Sequence, residues 1–171
     1  MKRIVSYQEY RGLVAEVCNQ IAKSDWRPDY IVGLTRGGLL PAVMISQYFD
    51  IPMHALKISL RDHIEHENNL WMAEDAYGKG ENQGTYKNIL VVDDLNDTGS
   101  TLNYLMDDWM KSTNYNDPEW EEIWNHNVRF AVMFDKLSSG CRVKMDYVGE
   151  ELDEERGEDW IVFPYEDWWR V

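Results

Sequence analysis

The run Ile89-Leu90-Val91-Val92-Asp93-Asp94-Leu95-Asn96-Asp97-Thr98-Gly99-Ser100-Thr101 constrains this chain more than any other part of it. Four consecutive apolar residues, Ile89 to Val92, predict a strand buried on both faces. Two carboxylates stand at its carboxyl end, and a small, hydroxyl-rich turn then opens a helix over about Thr101 to Lys111. A strand of that kind belongs in a parallel sheet covered by helices on both sides, and such sheets bind ligands outside the carboxyl ends of their strands. A helix N-terminus offers unpaired backbone N–H groups and partial positive charge, to which Thr98, Ser100 and Thr101 add hydroxyl donors, so the turn suits a phosphate. Asp93 and Asp94 cannot serve that anion directly. Beside it they make sense if they accept hydrogen bonds from sugar hydroxyls, or hold a Mg²⁺ that bridges to phosphate oxygens. The ligand these residues describe is a phosphorylated sugar with a divalent metal. The competing reading makes Asp93, Asp94 and Asp97 ordinary loop and cap residues of an α/β protein. A Walker-type nucleotide site lacks its loop, because no G-x-x-x-x-G-K-[ST] occurs.

The rest of the chain repeats the alternation. Ser6 and Glu9 have capping-box spacing, and Tyr10, Leu13, Val14, Val17, Cys18 and Ile21 fall on one face of a helix running to about Lys23. Tyr30 to Leu34 reads as a buried strand ending in Thr35-Arg36-Gly37-Gly38 and feeding a helix over about Leu39 to Phe49. Further strands are expected at Met53 to Ser59 and Val128 to Phe134. Short apolar strands alternating with helices give an α/β fold, a doubly wound, mainly parallel sheet flanked by helices. Two stretches interrupt the pattern. Residues 60–87 form a long polar connection containing Gly78, Gly80 and Gly84, and residues 112–127 read as a surface insertion with a helical turn after Pro118. The acid-rich stretch from Asp146 to Asp167 reads mostly as solvated surface.

Charge and composition exclude whole classes of function. With 31 Asp and Glu against 17 Lys and Arg, the 171-residue chain carries a formal charge of −14. A nucleic-acid binder needs a basic surface to displace counterions, so no nucleic-acid partner is expected, and an anionic membrane would repel the chain. No run approaches the roughly 18 apolar residues of a bilayer span, and Met1-Lys2-Arg3-Ile4-Val5-Ser6 lacks a signal-peptide core. The chain is therefore expected to be a single cytoplasmic domain over residues 1–171. Cys18 and Cys141 are too few for a disulfide framework and read as reduced thiols, and His54, His63, His66 and His126 have no metal-ligand spacing.

Asp93 to Thr101 resembles the phosphoribosyl pyrophosphate (PRPP) motif of the type I phosphoribosyltransferases. The resemblance extends to Ile31-Val32-Gly33-Leu34-Thr35-Arg36-Gly37-Gly38-Leu39-Leu40-Pro41, which is similar to the pyrophosphate loop of the bacterial xanthine-guanine (6-oxopurine) members. Phe134-Asp135-Lys136, Asp146-Tyr147-Val148 and Asp159-Trp160-Ile161 are similar to their base-binding end. It implies the type I phosphoribosyltransferase fold with a small C-terminal hood, about residues 137–171, and a mobile loop at about 60–87. The implied activity is a purine salvage transfer: PRPP and guanine, xanthine or hypoxanthine give a nucleoside 5′-monophosphate and pyrophosphate, with Mg²⁺ as cofactor, in a homodimer or homotetramer.

By the same resemblance Thr98, Gly99, Ser100 and Thr101 hold the 5′-phosphate. Asp93 and Asp94 take the ribose hydroxyls, with Mg²⁺ near Asp94, and Asp97 exchanges a proton near N7 of the purine. Thr35, Arg36, Gly37 and Gly38 bind the leaving pyrophosphate, Lys136 donates to the oxygen at C6, and Trp160 and Ile161 lie on or beside the base. The chain departs from the family pattern where Ser59 is followed by Leu60-Arg61 rather than by Tyr, where residues 62–78 carry no Lys or Arg, and at Val162, where the bacterial relatives have a polar residue. Transfer to another nucleobase, and a non-catalytic PRPP-binding regulatory protein, are the two alternatives.

Overall fold

The computed structural model describes residues 2–58, 70–79, 84–153 and 160–170. Five parallel strands form the main sheet in the order β3(Met53–Lys57), β2(Tyr30–Thr35), β4(Ile89–Asn96), β5(Val128–Lys136), β6(Tyr147–Leu152). The chain moves from β2 outward to β3 on one side, and from β4 through β5 to β6 on the other. The order therefore reverses between β2 and β4, and a crevice must open at their carboxyl ends.

Alternate residues of each strand feed two separate cores. Ile31, Leu90, Val92, Ala131 and Met133 pack with α1(Tyr7–Lys23) and α2(Leu39–Phe49). Val32, Leu34, Ile89, Val91 and Phe130 face the other layer, built by α3(Leu70–Tyr77), α4(Ser100–Ser112) and the short α5(Trp120–Ile123). Both faces are thus covered, which is why β2, β4 and β5 read as continuous apolar runs rather than alternating ones. In α1 the Ser6 hydroxyl accepts from the Glu9 amide at 3.0 Å, and the six residues expected on its apolar face are all buried. The free edge of β6 is covered at one point by Gln20 of α1. Its amide donates to the Val148 carbonyl at 2.8 Å and accepts from the Val148 N–H at 3.0 Å.

Several expectations need correction. The connection 60–87 is not all loop: Leu70–Tyr77 is helical because Met72, Ala73 and Ala76 seal one face of the sheet. Residues 59–69 and 80–83, which include Ser59, Leu60 and Arg61, lie outside the described residues. Much of 112–127 lies at the surface, and the helical turn expected after Pro118 is α5, but the segment is also anchored in the core. Trp120 is fully buried, stacked on Tyr77 and Trp124 at 5.3 and 5.0 Å, and buried Asn127 donates to the carbonyls of Ala76 and Lys87. The described residues of the acidic stretch after Asp146 are not mostly solvated, since they supply β6 and β7(Trp160–Val162) and include buried Tyr147, Leu152, Ile161 and Phe163. A strand with no sequence signal, β1(Lys2–Ile4), pairs in parallel with β7 and brings Lys2 opposite Trp160. Strand β3 ends at Lys57, short of the expected Ser59. No helix of the described residues is long and apolar enough to cross a membrane.

Candidate active site

Strand β4 runs four residues beyond its apolar core and carries Asp93 and Asp94 inside the strand rather than after it. The Asp93 carboxylate accepts from the Asp94 N–H at 2.9 Å. Burial, reinforced by the neighbouring Asp94 charge, holds the Asp93 carboxyl well above the usual carboxylate range. Facing them across the switch point, Thr35–Gly38 turns sharply from β2 into α2, with the Thr35–Arg36 peptide in the cis form. The glycines are required by close approach. A Cβ at Gly37 would lie 2.0 Å from Asp94 Oδ2, and one at Gly38 would lie 2.4 Å from the Val92 carbonyl oxygen.

The turn 97–99 enters α4 through Gly99 in the left-handed region, at φ +84°, with no side-chain cap. Thr98 donates to Ser100 Oγ at 2.9 Å and its own oxygen accepts from the Ser100 N–H at 3.3 Å. Behind the turn sits the 138–141 segment: the Gly140 N–H donates to the Thr98 carbonyl at 2.9 Å. A Cβ at Gly99 would meet the Cys141 nitrogen at 2.2 Å. Thr101 is half-buried in the first turn of α4.

Lys136 ends β5 and places its ammonium 2.6 Å from Asp97 Oδ1. Beside this pair, buried Asn96 donates to both Asp135 Oδ1 and Ser139 Oγ at 2.8 Å, fastening the ends of β4 and β5 to the following loop. On the other side β7 presents an exposed Trp160 ring, whereas the Ile161 side chain lies in the core and leaves only its backbone for a ligand. Asp159 lies outside the described residues. A cleft of about 880 Å³ runs between Arg36, Gly37, Asp94, Trp160, Val162 and Tyr165. The expected residues therefore form two groups at one sheet edge, the Arg36–Asp94 side and the Asp97–Lys136 side.

Reading the sequence missed Tyr165, Asn96 and Lys2. The Tyr165 hydroxyl donates to Asp94 Oδ2 at 2.6 Å, and burial together with the Asp94 charge keeps the phenol protonated far above its ordinary range. Tyr165 and Lys2 reach the site through long-range contacts and leave no local pattern, whereas Asn96 stands inside the carboxylate run but shows its role only through Asp135 and Ser139. Among the described residues no group of three or more His, Cys, Asp and Glu could hold a metal by itself.

Comparison with known proteins agrees with this fold. The xanthine-guanine phosphoribosyltransferase of Idiomarina loihiensis is 28% identical over 164 residues, covering 95% of this chain and 85% of that protein. Its namesake in Cereibacter sphaeroides is 30% identical over 144 residues, 82% of this chain and 70% of that protein. Among solved structures, the purine phosphoribosyltransferase from Pyrococcus horikoshii superposes with a TM-score of 0.67 at 24% identity, over 97% of this chain and 94% of that one. The family described as the phosphoribosyl transferase domain matches residues 3–166. That span takes in both glycine turns and the paired carboxylates between them, and the chain belongs to this family.

Proposed function

We propose that the chain is a purine salvage phosphoribosyltransferase, moving the phosphoribosyl group of PRPP onto a 6-oxopurine to give a nucleoside 5′-monophosphate and pyrophosphate. The observation that carries this reading is the Lys136–Asp97 pair, a cation and a carboxylate standing 2.6 Å apart at the same sheet edge as Asp93, Asp94 and the Arg36–Gly38 turn. A 6-oxopurine presents an acceptor oxygen at C6 next to N7, and one donor beside one proton-exchanging group matches that edge. The xanthine-guanine relatives support the same substrate class.

In this reading the amides and hydroxyls of Thr98, Gly99, Ser100 and Thr101 hold the 5′-phosphate, and Asp93 and Asp94 accept from the ribose hydroxyls. Thr35, Arg36, Gly37 and Gly38 receive the pyrophosphate. The purine nitrogen attacks the anomeric carbon as the bond to pyrophosphate breaks, and the leaving group takes the electron pair. Positive charge that develops on the ribose is stabilised by the carboxylates already in place. Asp97 exchanges the proton at N7, Lys136 donates to the oxygen at C6, and Trp160 with the Ile161 backbone lines the base.

The donor set fits Mg²⁺. Asp93 and Asp94 are adjacent oxygen donors of the kind Mg²⁺ takes, and the Asp94 charge that helps raise the Asp93 carboxyl is one a divalent cation would offset. Asp94 would hold it, and the ion would neutralise the pyrophosphate oxygens. We further propose a cytoplasmic homodimer or homotetramer. Its support is α2, eleven residues without a charge and with exposed Val43 and Tyr48, and light scattering tests it.

The deciding assay offers guanine, xanthine, hypoxanthine, adenine, uracil and orotate in parallel with PRPP and Mg²⁺. Nucleotide should form with the 6-oxopurines alone. Turnover confined to adenine or a pyrimidine would move the chain to another base, and binding of PRPP without turnover would make it a regulatory protein.

A further inference from the structure

We infer that Tyr165 is a positioning residue for the phosphoribosyl donor, its hydroxyl holding the Asp94 carboxylate against the Gly37 turn in the orientation that receives ribose and pyrophosphate. The inference rests on the transferase reading above and adds a residue to it. Asp94 Oδ2 accepts from Tyr165 at 2.6 Å, and the same hydroxyl lies 3.4 Å from the Gly37 carbonyl oxygen. That carboxylate oxygen sits so close to the Gly37 backbone that any side chain there would displace it. One phenol thus touches both halves of the donor site, from a segment 71 residues beyond Asp94.

Tyr165 is itself held firmly. Its ring stacks on Phe163 at 5.4 Å with 3° between the planes, and meets the edge of Tyr10 at 6.0 Å and 88°. Phe163 and Tyr10 are both buried in the core that α1 forms with the sheet. The hydroxyl therefore reaches Asp94 from a fixed platform, and the carboxylate it restrains has little rotamer freedom left to lose when the donor arrives. Ordering a side chain on binding weakens affinity, and a partner that orders it beforehand restores that loss. The effect belongs to donor binding, because the base side of the site is organised separately by Lys136, Asp97 and Asn96.

Tyr165→Phe separates hydroxyl from ring, since both aromatic contacts survive. Calorimetry of PRPP with Mg²⁺ on the full chain should show affinity weakened about tenfold, a size in keeping with loss of a hydrogen bond to a charged group. In kinetics the KM for PRPP should rise by a similar factor, with kcat and the KM for the purine unchanged. Unaltered PRPP affinity would overturn the assignment. So would equal rises in both KM values accompanied by a lower melting temperature, which is the signature of a loosened hood. A wild-type chain that binds PRPP yet makes no nucleotide would refute the transferase reading and leave the calorimetric comparison standing. Failure of the wild type to bind PRPP would refute both.

Discussion

Lys136 and Asp97 form an ion pair 2.6 Å long that joins the end of β5 to the turn before α4. Asp97 is 56% exposed, so the pair adds little to folding, within the ~0–1 kcal/mol of exposed pairs. Its worth should lie in the reaction. Lys136→Ala should raise the KM for an oxopurine by one to two orders of magnitude, the loss of a charge-assisted hydrogen bond worth roughly 1.5–3 kcal/mol. Steady-state kinetics with guanine, xanthine and hypoxanthine check this, and unchanged values would remove the lysine from the base site.

Asp97→Asn keeps the size and the bond to Lys136 but cannot exchange a proton. Turnover should fall about 10²–10⁴-fold while PRPP binding persists. Asp94→Asn should weaken PRPP binding as well, so single-turnover rates and calorimetry on the two variants distinguish proton transfer from donor binding.

A donor with several negative charges meets a chain of charge −14. Arg36 and a few helix termini are a small positive complement, so PRPP binding should require Mg²⁺ and vanish in excess EDTA. Tight binding measured calorimetrically under chelation would contradict the proposed metal.

Gly99→Ala should destabilise the fold as well as the phosphate turn. A left-handed conformation costs an L-residue about 1–2 kcal/mol, and the new methyl would also strike the Cys141 backbone. A fall of roughly 4–8 °C in thermal midpoint follows if the total reaches ~2 kcal/mol in a domain of this size. An unchanged melting curve would mean that the 138–141 segment yields freely.

Alkaline pH should loosen the protein. Burial pushes the Cys18 thiol from an ordinary 9.0 up to about 11, and raises the buried phenols of Tyr10 and Tyr30. These groups release protons more readily once unfolded. The stability they contribute is complete below pH 9 and is lost as pH climbs through 11. Urea unfolding between pH 8 and 11 measures the slope, and a flat profile would refute it. Cys18 should resist alkylation at pH 8 in the native state and react once the chain is unfolded.

The parts of the fold that the sequence disclosed were those encoded locally. Ser6 and Glu9 announce α1, and four apolar residues announce β4, because capping and two-sided burial write themselves into neighbouring positions. Strand β1 could not be read this way: its three residues are held by pairing with β7, nearly the whole chain away. The same division runs through the site. The carboxylates and hydroxyls of Asp93 to Thr101 are contiguous and legible, whereas Tyr165, and Asn96 within that run, acquire meaning only when folding brings Asp94 and Asp135 beside them. Trp120 misled because polar neighbours on both sides resemble a loop, although the ring itself fills a core.

The Gln20 amide on Val148 bears on how this protein behaves when concentrated. A strand at the rim of a sheet is a template on which foreign chains can grow. Here the side chain of a helix imitates the missing neighbour, occupying both the N–H and the carbonyl of the second residue of that rim. An incoming strand must first evict it, so extension of the sheet from molecule to molecule meets a barrier at the point where pairing would otherwise begin.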